Sequence, residues 1–188
     1  MILAFDLAKR TGWAAADRGR LPVCGEIDLL PPSEIIRGSE GRAYHRLREV
    51  VLDRIDVIGP REIWIEEAVP TVKRSLDTLR FLMGLCAIAE EAAEARGVPC
   101  YSQGVSTIRL QVLGNGAAGK EGVLWWAHDL GFDVADNAAD ALCLLAYAAC
   151  CETPLWRLTP GPNAQRARDD VFGRAKAEVR GQGRPVNG

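Results

Sequence analysis

The chain begins with Met1-Ile-Leu-Ala-Phe-Asp6-Leu-Ala-Lys-Arg-Thr-Gly-Trp13, a stretch in which an apolar run ends on a single carboxylate. The apolar run predicts a buried strand, and the polar residues after it predict a tight turn into a second strand. A lone carboxylate at the end of a core strand is costly unless it is paired or binds a metal ion. Asp6 is therefore predicted to have a functional role.

Two further carboxylate sites adjoin apolar segments in the same way. Glu66 ends a predicted strand, as Asp6 does, and the carboxyl ends of strands are where α/β proteins gather functional groups. Asp140 opens a long apolar helix. Asp136 precedes it by four residues, so it can share its face or serve as the helix N-cap. Carboxylates clustered without histidine or cysteine select Mg²⁺ or Mn²⁺, and paired ions of this type drive phosphodiester hydrolysis.

The composition is that of a soluble globular domain. The 188 residues are 48% hydrophobic and 26% charged, with a net charge of −2, which neither requires nor excludes a nucleic-acid partner. No segment approaches the roughly 20 apolar residues of a membrane span, and no basic segment precedes the first apolar run as in a signal peptide. The six cysteines form no C-x-x-C pair. We therefore expect a cytoplasmic protein with reduced thiols.

The order of predicted elements is that of an α/β protein with a mixed sheet. Predicted strands are Met1–Leu7, Gly12–Asp17, Val23–Leu29, Glu62–Glu66 and Val98–Ser102. Predicted helices are Tyr44–Ile58, Leu76–Arg96, Ser106–Leu113, Glu121–Leu130 and Ala138–Cys151. Beyond these, proline and glycine become frequent and apolar residues thin out. We therefore expect a domain over residues 1–152 and a flexible, mildly basic tail over residues 153–188.

Four short motifs, in this order along the chain, resemble those of RuvC-type Holliday junction resolvases, and most closely the phage-like branch. They are Asp6–Ala14, Ile65–Glu67, Gly114–Val123 and Asp136–Leu142. The resemblance implies a ribonuclease H-like fold with a five-stranded sheet, a homodimer, and Mg²⁺-dependent nicking of four-way DNA junctions. Mn²⁺ is expected to substitute for Mg²⁺.

The resemblance also implies site residues. Asp6, Glu66 and Asp140 take the positions of the catalytic, metal-binding acids, with Asp136 as the fourth. Bacterial members commonly place the last two aspartates three residues apart, and in that register Asn137 stands at the fourth position. The chain further differs from cellular members in carrying Ala-Val-Pro at 68–70, where they usually have an aromatic residue that stacks at the junction.

The glycine-rich segment Gly114–Lys120 fits the G-x-x-x-x-G-K pattern of a nucleotide-binding loop. Glu121 follows it, however, where such a loop needs Ser or Thr, and the preceding segment is predicted to be helical. We therefore expect no nucleotide cofactor. Instead, the glycines suit close approach to a DNA backbone, and the family resemblance implies a phosphate contact for Lys120. Further DNA-binding candidates flank the acids, although such clusters are also typical of a solvated surface: Lys9, Arg10, Lys73 and Arg74.

These observations favour a metal-dependent endonuclease that resolves four-way and other branched DNA, with roles in DNA recombination and repair. A second enzyme hypothesis is a nuclease of the same fold that prefers flaps, forks or RNA–DNA hybrids. The two non-enzymatic hypotheses are an inactive junction-binding protein and a nucleotide-binding protein. Dimerisation is expected through the helix Leu76–Arg96, because its apolar positions are too many for one buried stripe: Leu79, Leu82, Met83, Cys86 and Ile88.

Overall fold

The structure, a computed structural model, describes residues 1–17, 20–31, 33, 39–70 and 74–150. The described residues form five strands: β1 Ile2–Asp6, β2 Arg10–Ala16, β3 Val23–Asp28, β4 Glu62–Glu66 and β5 Cys100–Gln103. They also form five helices: α1 Glu40–Ile58, α2 Leu76–Glu94, α3 Val105–Leu113, α4 Lys120–Asp129 and α5 Asp136–Cys150. The predicted element order is confirmed, with ends that shift by a few residues. The predicted tail, residues 153–188, lies outside the described residues.

The strands form one mixed sheet in the order β3-β2-β1-β4-β5. β1, β2 and β3 are a meander of antiparallel neighbours, whereas β4 and β5 join β1 as parallel strands. The predicted α/β class, with a mixed five-stranded sheet flanked by helices, is confirmed. Because β1 and β4 are parallel neighbours, their carboxyl ends meet at the same edge of the sheet.

One face of the sheet is covered by α1 and α2. In α1, a stripe of apolar residues at i, i+4 spacing is buried: Ala43, Leu47, Val51 and Ile55. These residues pack with α2 against the alternate strand residues Leu3 and Phe5 of β1 and Ile63 and Ile65 of β4. Apolar packing therefore holds α1 and α2 on this face of the sheet.

The other face is covered by α5, with α3 and α4 outside it. α5 is buried along its whole length from Ala138 to Cys150, because it lies between the sheet and the two outer helices. It packs on the small residues Ala4 and Ala14 and on the fully buried Trp64. No helix in the described part of the chain has the length and apolarity that a membrane crossing requires.

Candidate active site

A pocket lies at the carboxyl ends of β1 and β4, where α5 begins. Its polar lining contains both signs of charge: Asp6, Glu66, Glu67, Arg74, Arg109, Lys120, Asn137 and Asp140. Three of the four predicted acids, Asp6, Glu66 and Asp140, are therefore brought to one pocket from three separate elements.

Asp6 and Glu66 are neighbours because of the strand register. Phe5 of β1 pairs with Ile65 of β4, so the next residue on each strand is an acid at the sheet edge. Side chains alternate along a strand, and both acids point to the face that α5 covers. Both are partly buried, whereas the adjacent Glu67 is exposed at the pocket rim.

Asp140 enters the pocket from α5 and is buried, with 8% of its side chain exposed. Its Oδ1 accepts a hydrogen bond of 3.0 Å from Nη2 of Arg109. Its Oδ2 lies 4.0 Å from Nζ of Lys120. A buried carboxylate is tolerable when it is paired in this way, so the two cations stabilise the charged form of Asp140.

The site holds like charges close together out of water. Burial, and then the neighbouring carboxylates of Glu66 and Asp140, raise the pKa of Asp6 to about 8. Burial and the carboxylate of Asp140 also raise the pKa of Glu66. For Asp140, burial raises the pKa and outweighs the opposing effect of Arg109 and Lys120. Acids with raised pKa values that share a cleft are typical of functional sites, and a bound cation would relieve their repulsion.

Arg109 belongs to the site and was missed by sequence reasoning. It lies on α3, and its side chain is mostly buried, with 15% exposed. Besides the bond to Asp140, its Nη1 donates to the carbonyl of Ala118 at 2.6 Å. Arg109 therefore joins the glycine-rich loop to the acids. The available signal was a single basic residue in the mostly apolar segment Val105–Leu113, which is a weak one.

The glycine-rich loop connects two helices. α3 precedes it, which confirms the predicted helix there, and Lys120 is the first residue of α4. Lys120 is 59% exposed, so its ammonium group faces solvent as well as Asp140. It is accessible to an anionic ligand that enters the pocket.

The other predicted DNA-binding residues are placed differently from one another. Arg74 lines the pocket and donates to the carbonyl of Val69 at 3.1 Å. Lys9 is exposed in the turn between β1 and β2. Arg10 is held by both carboxylate oxygens of Asp28, at 2.7 and 3.3 Å. Lys73 lies outside the described residues.

At the start of α5, Asp136 and Asn137 differ in their exposure and in their position relative to the pocket. Asp136 is the first helical residue and is exposed, whereas Asn137 lines the pocket with Asp140. The N–H groups of Asn137 and Ala138 donate to Glu26 of β3, at 3.1 and 3.3 Å. Glu26 therefore accepts from these two first-turn amides, whereas Asp136, for which an N-cap role was one of two alternatives, is itself the first helical residue. Sequence reasoning also missed this role of Glu26.

The donor atoms in the pocket suit a divalent metal ion. The carboxylates of Asp6, Glu66 and Asp140 and the side-chain amide of Asn137 offer the oxygen ligands that Mg²⁺ and Mn²⁺ prefer. Across the described ranges, however, no three Asp, Glu, His or Cys side chains already converge on one point where they could hold an ion. Asp140 instead engages Arg109 and Lys120. The chemistry of these residues fits a metal ion. In this arrangement, Arg109 and Lys120 pair with one of the acids, Asp140.

The fold is similar to that of RuvC from Thermus thermophilus. A solved structure of that protein has a TM-score of 0.58 and 21% sequence identity, covering 76% of this chain and 89% of the other. A second, of T. thermophilus RuvC in complex with a Holliday junction substrate, has a TM-score of 0.59 and 21% identity, covering 76% and 88%. The sequence matches no family model and no curated protein sequence. The chain therefore has a RuvC-like, ribonuclease H-like fold.

Proposed function

We propose that this protein is a metal-dependent endonuclease that resolves four-way and other branched DNA junctions by phosphodiester hydrolysis. The observation that carries the proposal is the meeting of Asp6, Glu66 and Asp140 in one pocket beside Arg109 and Lys120. Acids without histidine or cysteine suit Mg²⁺ or Mn²⁺, and the two cations suit a phosphate.

Asp6, Glu66 and Asp140 would hold the metal. A Mg²⁺ or Mn²⁺ ion held there would activate water and stabilise the leaving oxygen of a phosphodiester. The chain's own contribution is to hold the acids at the carboxyl ends of β1 and β4 and at the start of α5, within a partly buried pocket.

Lys120 and Arg109 would bring the scissile phosphate to these acids. Lys120 Nζ lies 4.0 Å from Asp140, so a phosphate oxygen that it contacts would lie beside the carboxylates. Arg109 is oriented by its bond to the Ala118 carbonyl, which limits its side chain to this end of the pocket. We propose Arg74 and Lys9 as further backbone contacts at the rim, and keep Arg10 and Lys73 as weaker candidates.

We propose Asn137 rather than Asp136 for the fourth position. Asn137 lines the pocket and lies three residues before Asp140, on the same helix face. Its amide oxygen is a neutral ligand, so the site would carry one negative charge less than with Asp136. Asn137→Ala should lower cleavage by about tenfold or more, as loss of a metal-orienting residue does, and Asp136→Asn should lower it little. The opposite ranking would return the fourth position to Asp136.

Branched DNA is the proposed substrate because of the fold. The similar T. thermophilus protein is described with a Holliday junction substrate, which favours junctions over flaps, forks or RNA–DNA hybrids. The segment Ala68–Pro70 borders the site without an aromatic ring, and Ala68 lines the pocket. We therefore propose looser junction selectivity than an aromatic wedge would provide. A phage-like origin and action in the cytoplasm of the host cell, on recombination and repair intermediates, complete the proposal.

A homodimer is proposed through α2. Most of its apolar residues pack against α1 and the sheet. Leu76, 84% exposed, and Met83, 56% exposed, lie on the opposite side of the helix from the buried stripe. A symmetric dimer would place two such pockets in one molecule, as paired cuts in a junction require. Light scattering is expected to give twice the chain mass at micromolar concentration, and Met83→Glu is expected to give a monomer. A wild-type monomer with full activity would contradict the dimer.

The direct test of this function is a nuclease assay on synthetic DNA with and without Mg²⁺. A labelled four-way junction is compared with a flap, a fork, an RNA–DNA hybrid and a linear duplex of matched sequence. We expect Mg²⁺-dependent, paired cuts in the junction, at least about tenfold faster than in linear duplex. Faster cleavage of the flap or hybrid would favour the second nuclease hypothesis, and binding without cleavage would favour an inactive junction-binding protein.

A further inference from the structure

The first turn of α5 is anchored by a side chain from the sheet. The N–H groups of Asn137 and Ala138 both donate to Oε1 of Glu26, at 3.1 and 3.3 Å. First-turn amides have no acceptor within their own helix, so an external acceptor decides where the turn rests. Here that acceptor comes from β3, two strands away from the β1 strand that carries Asp6.

The strand register aligns this anchor with the acids. Asp6 of β1 pairs with Gly12 of β2, and Gly12 pairs with Glu26 of β3, so the three residues form one row across the sheet. Cross-strand partners point to the same face, which is the face that α5 covers. Asp6 and Glu26 therefore lie at opposite ends of the row beneath the start of α5.

Gly12, at the centre of the row, sets the closeness of the contact. A Cβ atom there would overlap the carbonyl of Asn137 and would also crowd the nitrogen of Ala138. The helix can lie so close to the sheet only because this residue has no side chain. Contact at Gly12 fixes the distance of the first turn from the sheet, and the two bonds to Glu26 fix its position along the row.

We infer that Glu26 is a positioning residue for the metal-binding end of α5, an inference that rests on the proposed function. Asn137 and Asp140 line the pocket from this helix, and both are attached to the turn that Glu26 holds. Glu26 does not line the pocket, so its effect on a metal bound there would be transmitted through α5. A shift of the turn would move Asn137 and Asp140 together away from Asp6 and Glu66.

The anchor uses one carboxylate oxygen of Glu26. A carboxylate is favourable at the positive end of a helix, and it accepts two N–H donors through one oxygen. Its other oxygen, Oε2, lies 4.0 Å from Nε of Arg10, which is held in turn by Asp28. Arg10 is therefore paired mainly with Asp28, and the bonds from α5 to Glu26 do not depend on Asp28.

The test uses the full-length protein with Glu26→Ala, Glu26→Asp and Glu26→Gln, and with Asp28→Asn as the matched control on the same strand. Mn²⁺ affinity is measured without DNA by electron paramagnetic resonance of free Mn²⁺. Loss of a metal-orienting contact is expected to weaken Mn²⁺ binding about tenfold in Glu26→Ala, and also in Glu26→Asp, whose shorter carboxylate falls short of the amides. Glu26→Gln keeps the acceptor oxygen and should stay near wild type, as should Asp28→Asn.

Amide hydrogen exchange at Asn137 and Ala138 provides the second measurement and needs no metal. Exchange should accelerate in Glu26→Ala and Glu26→Asp but not in Glu26→Gln or Asp28→Asn. Faster exchange with unchanged Mn²⁺ affinity would reduce Glu26 to a structural cap and overturn the positioning role, as would equal loss of affinity in Asp28→Asn. If wild-type protein binds no Mn²⁺, or Asp6→Asn binds it equally well, the proposed function fails, and exchange alone still reports whether Glu26 anchors α5.

Discussion

The two faces of the sheet are built from the same strands but carry different chemistry. Towards α1 and α2, β1 and β4 present only apolar side chains, and the ion pairs of that layer lie at its solvent edge, such as Arg48 with Glu91. Towards α5, β1 presents Ile2 and Ala4 and ends with Asp6, and β4 presents Glu62 and Trp64 and ends with Glu66. Successive side chains of a strand point to opposite faces, so one face of the sheet stabilises the fold and the other carries the site.

The difference shows that the site reduces stability. Burial raises the pKa values of Asp6, Glu66 and Asp140, and neighbouring carboxylates raise them further, so the charged acids are disfavoured. Among the described residues, no fully buried carboxylate lies on the α1–α2 face. The fold can tolerate the acids because apolar packing on both faces outweighs that cost.

The largest expected effect is on catalysis at the acidic face. Asp6→Asn and Asp140→Asn each remove a charge with almost no change in shape, so they should lower junction cleavage by about 1,000-fold or more. Folding, followed by circular dichroism, and junction binding should be largely retained. Cleavage at more than a few per cent of the wild-type rate would remove that residue from the site.

On the apolar face, a substitution is expected to reduce stability and to leave catalysis unchanged. Leu47 of α1 is fully buried, and Leu47→Ala should reduce the free energy of unfolding by about 2–5 kcal/mol through lost packing and a cavity. Cleavage per folded molecule should stay close to wild type, because the residue lies on the far side of the sheet from the acids. Urea unfolding and active-site-normalised rates measure the two quantities. A selective loss of rate would show that the faces are coupled.

A smaller effect is expected on the pH dependence of stability. The pKa of Asp6 lies at about 8 in the folded protein and near 3.8 when unfolded, so the folded state binds the proton more tightly. The contribution of Asp6 to stability is therefore largest below about pH 4 and is lost as pH rises through about 8, a fall of roughly 1–3 kcal/mol without divalent ions. Asp6→Asn should flatten this fall in urea titrations at pH 5 to 9. An equal fall in the variant would assign it to other groups.

The smallest expected effect is on DNA affinity. If Lys120 contacts a phosphate, Lys120→Ala should weaken junction binding similarly for all sequences. It should also reduce the slope of log affinity against log salt by about one unit. His45, exposed on the α1 side of the molecule, offers a control as His45→Ala, which should leave the slope unchanged. A wild-type slope for Lys120→Ala would place the DNA on a different surface.

Much of this arrangement could be predicted from local patterns. Asp6 and Glu66 end apolar runs, and parallel neighbours bring such ends together, so their proximity follows from element order. The choice between Asp136 and Asn137 could not be made in this way. It depends on how the first turn of α5 rests on Gly12 and Glu26, which are more than 100 residues distant in sequence. Arg109 was missed because a single basic residue in a short helix carries no spacing signal.

The most direct test of a metal centre on the acidic face is a crystal structure of the wild-type protein soaked with Mn²⁺, with anomalous data collected for that ion. We expect an anomalous peak between Asp6, Glu66 and Asp140, and Asp140 no longer paired with Arg109. No peak in the pocket at millimolar Mn²⁺, with the bond from Arg109 to Asp140 retained, would contradict the metal centre and with it the proposed nuclease.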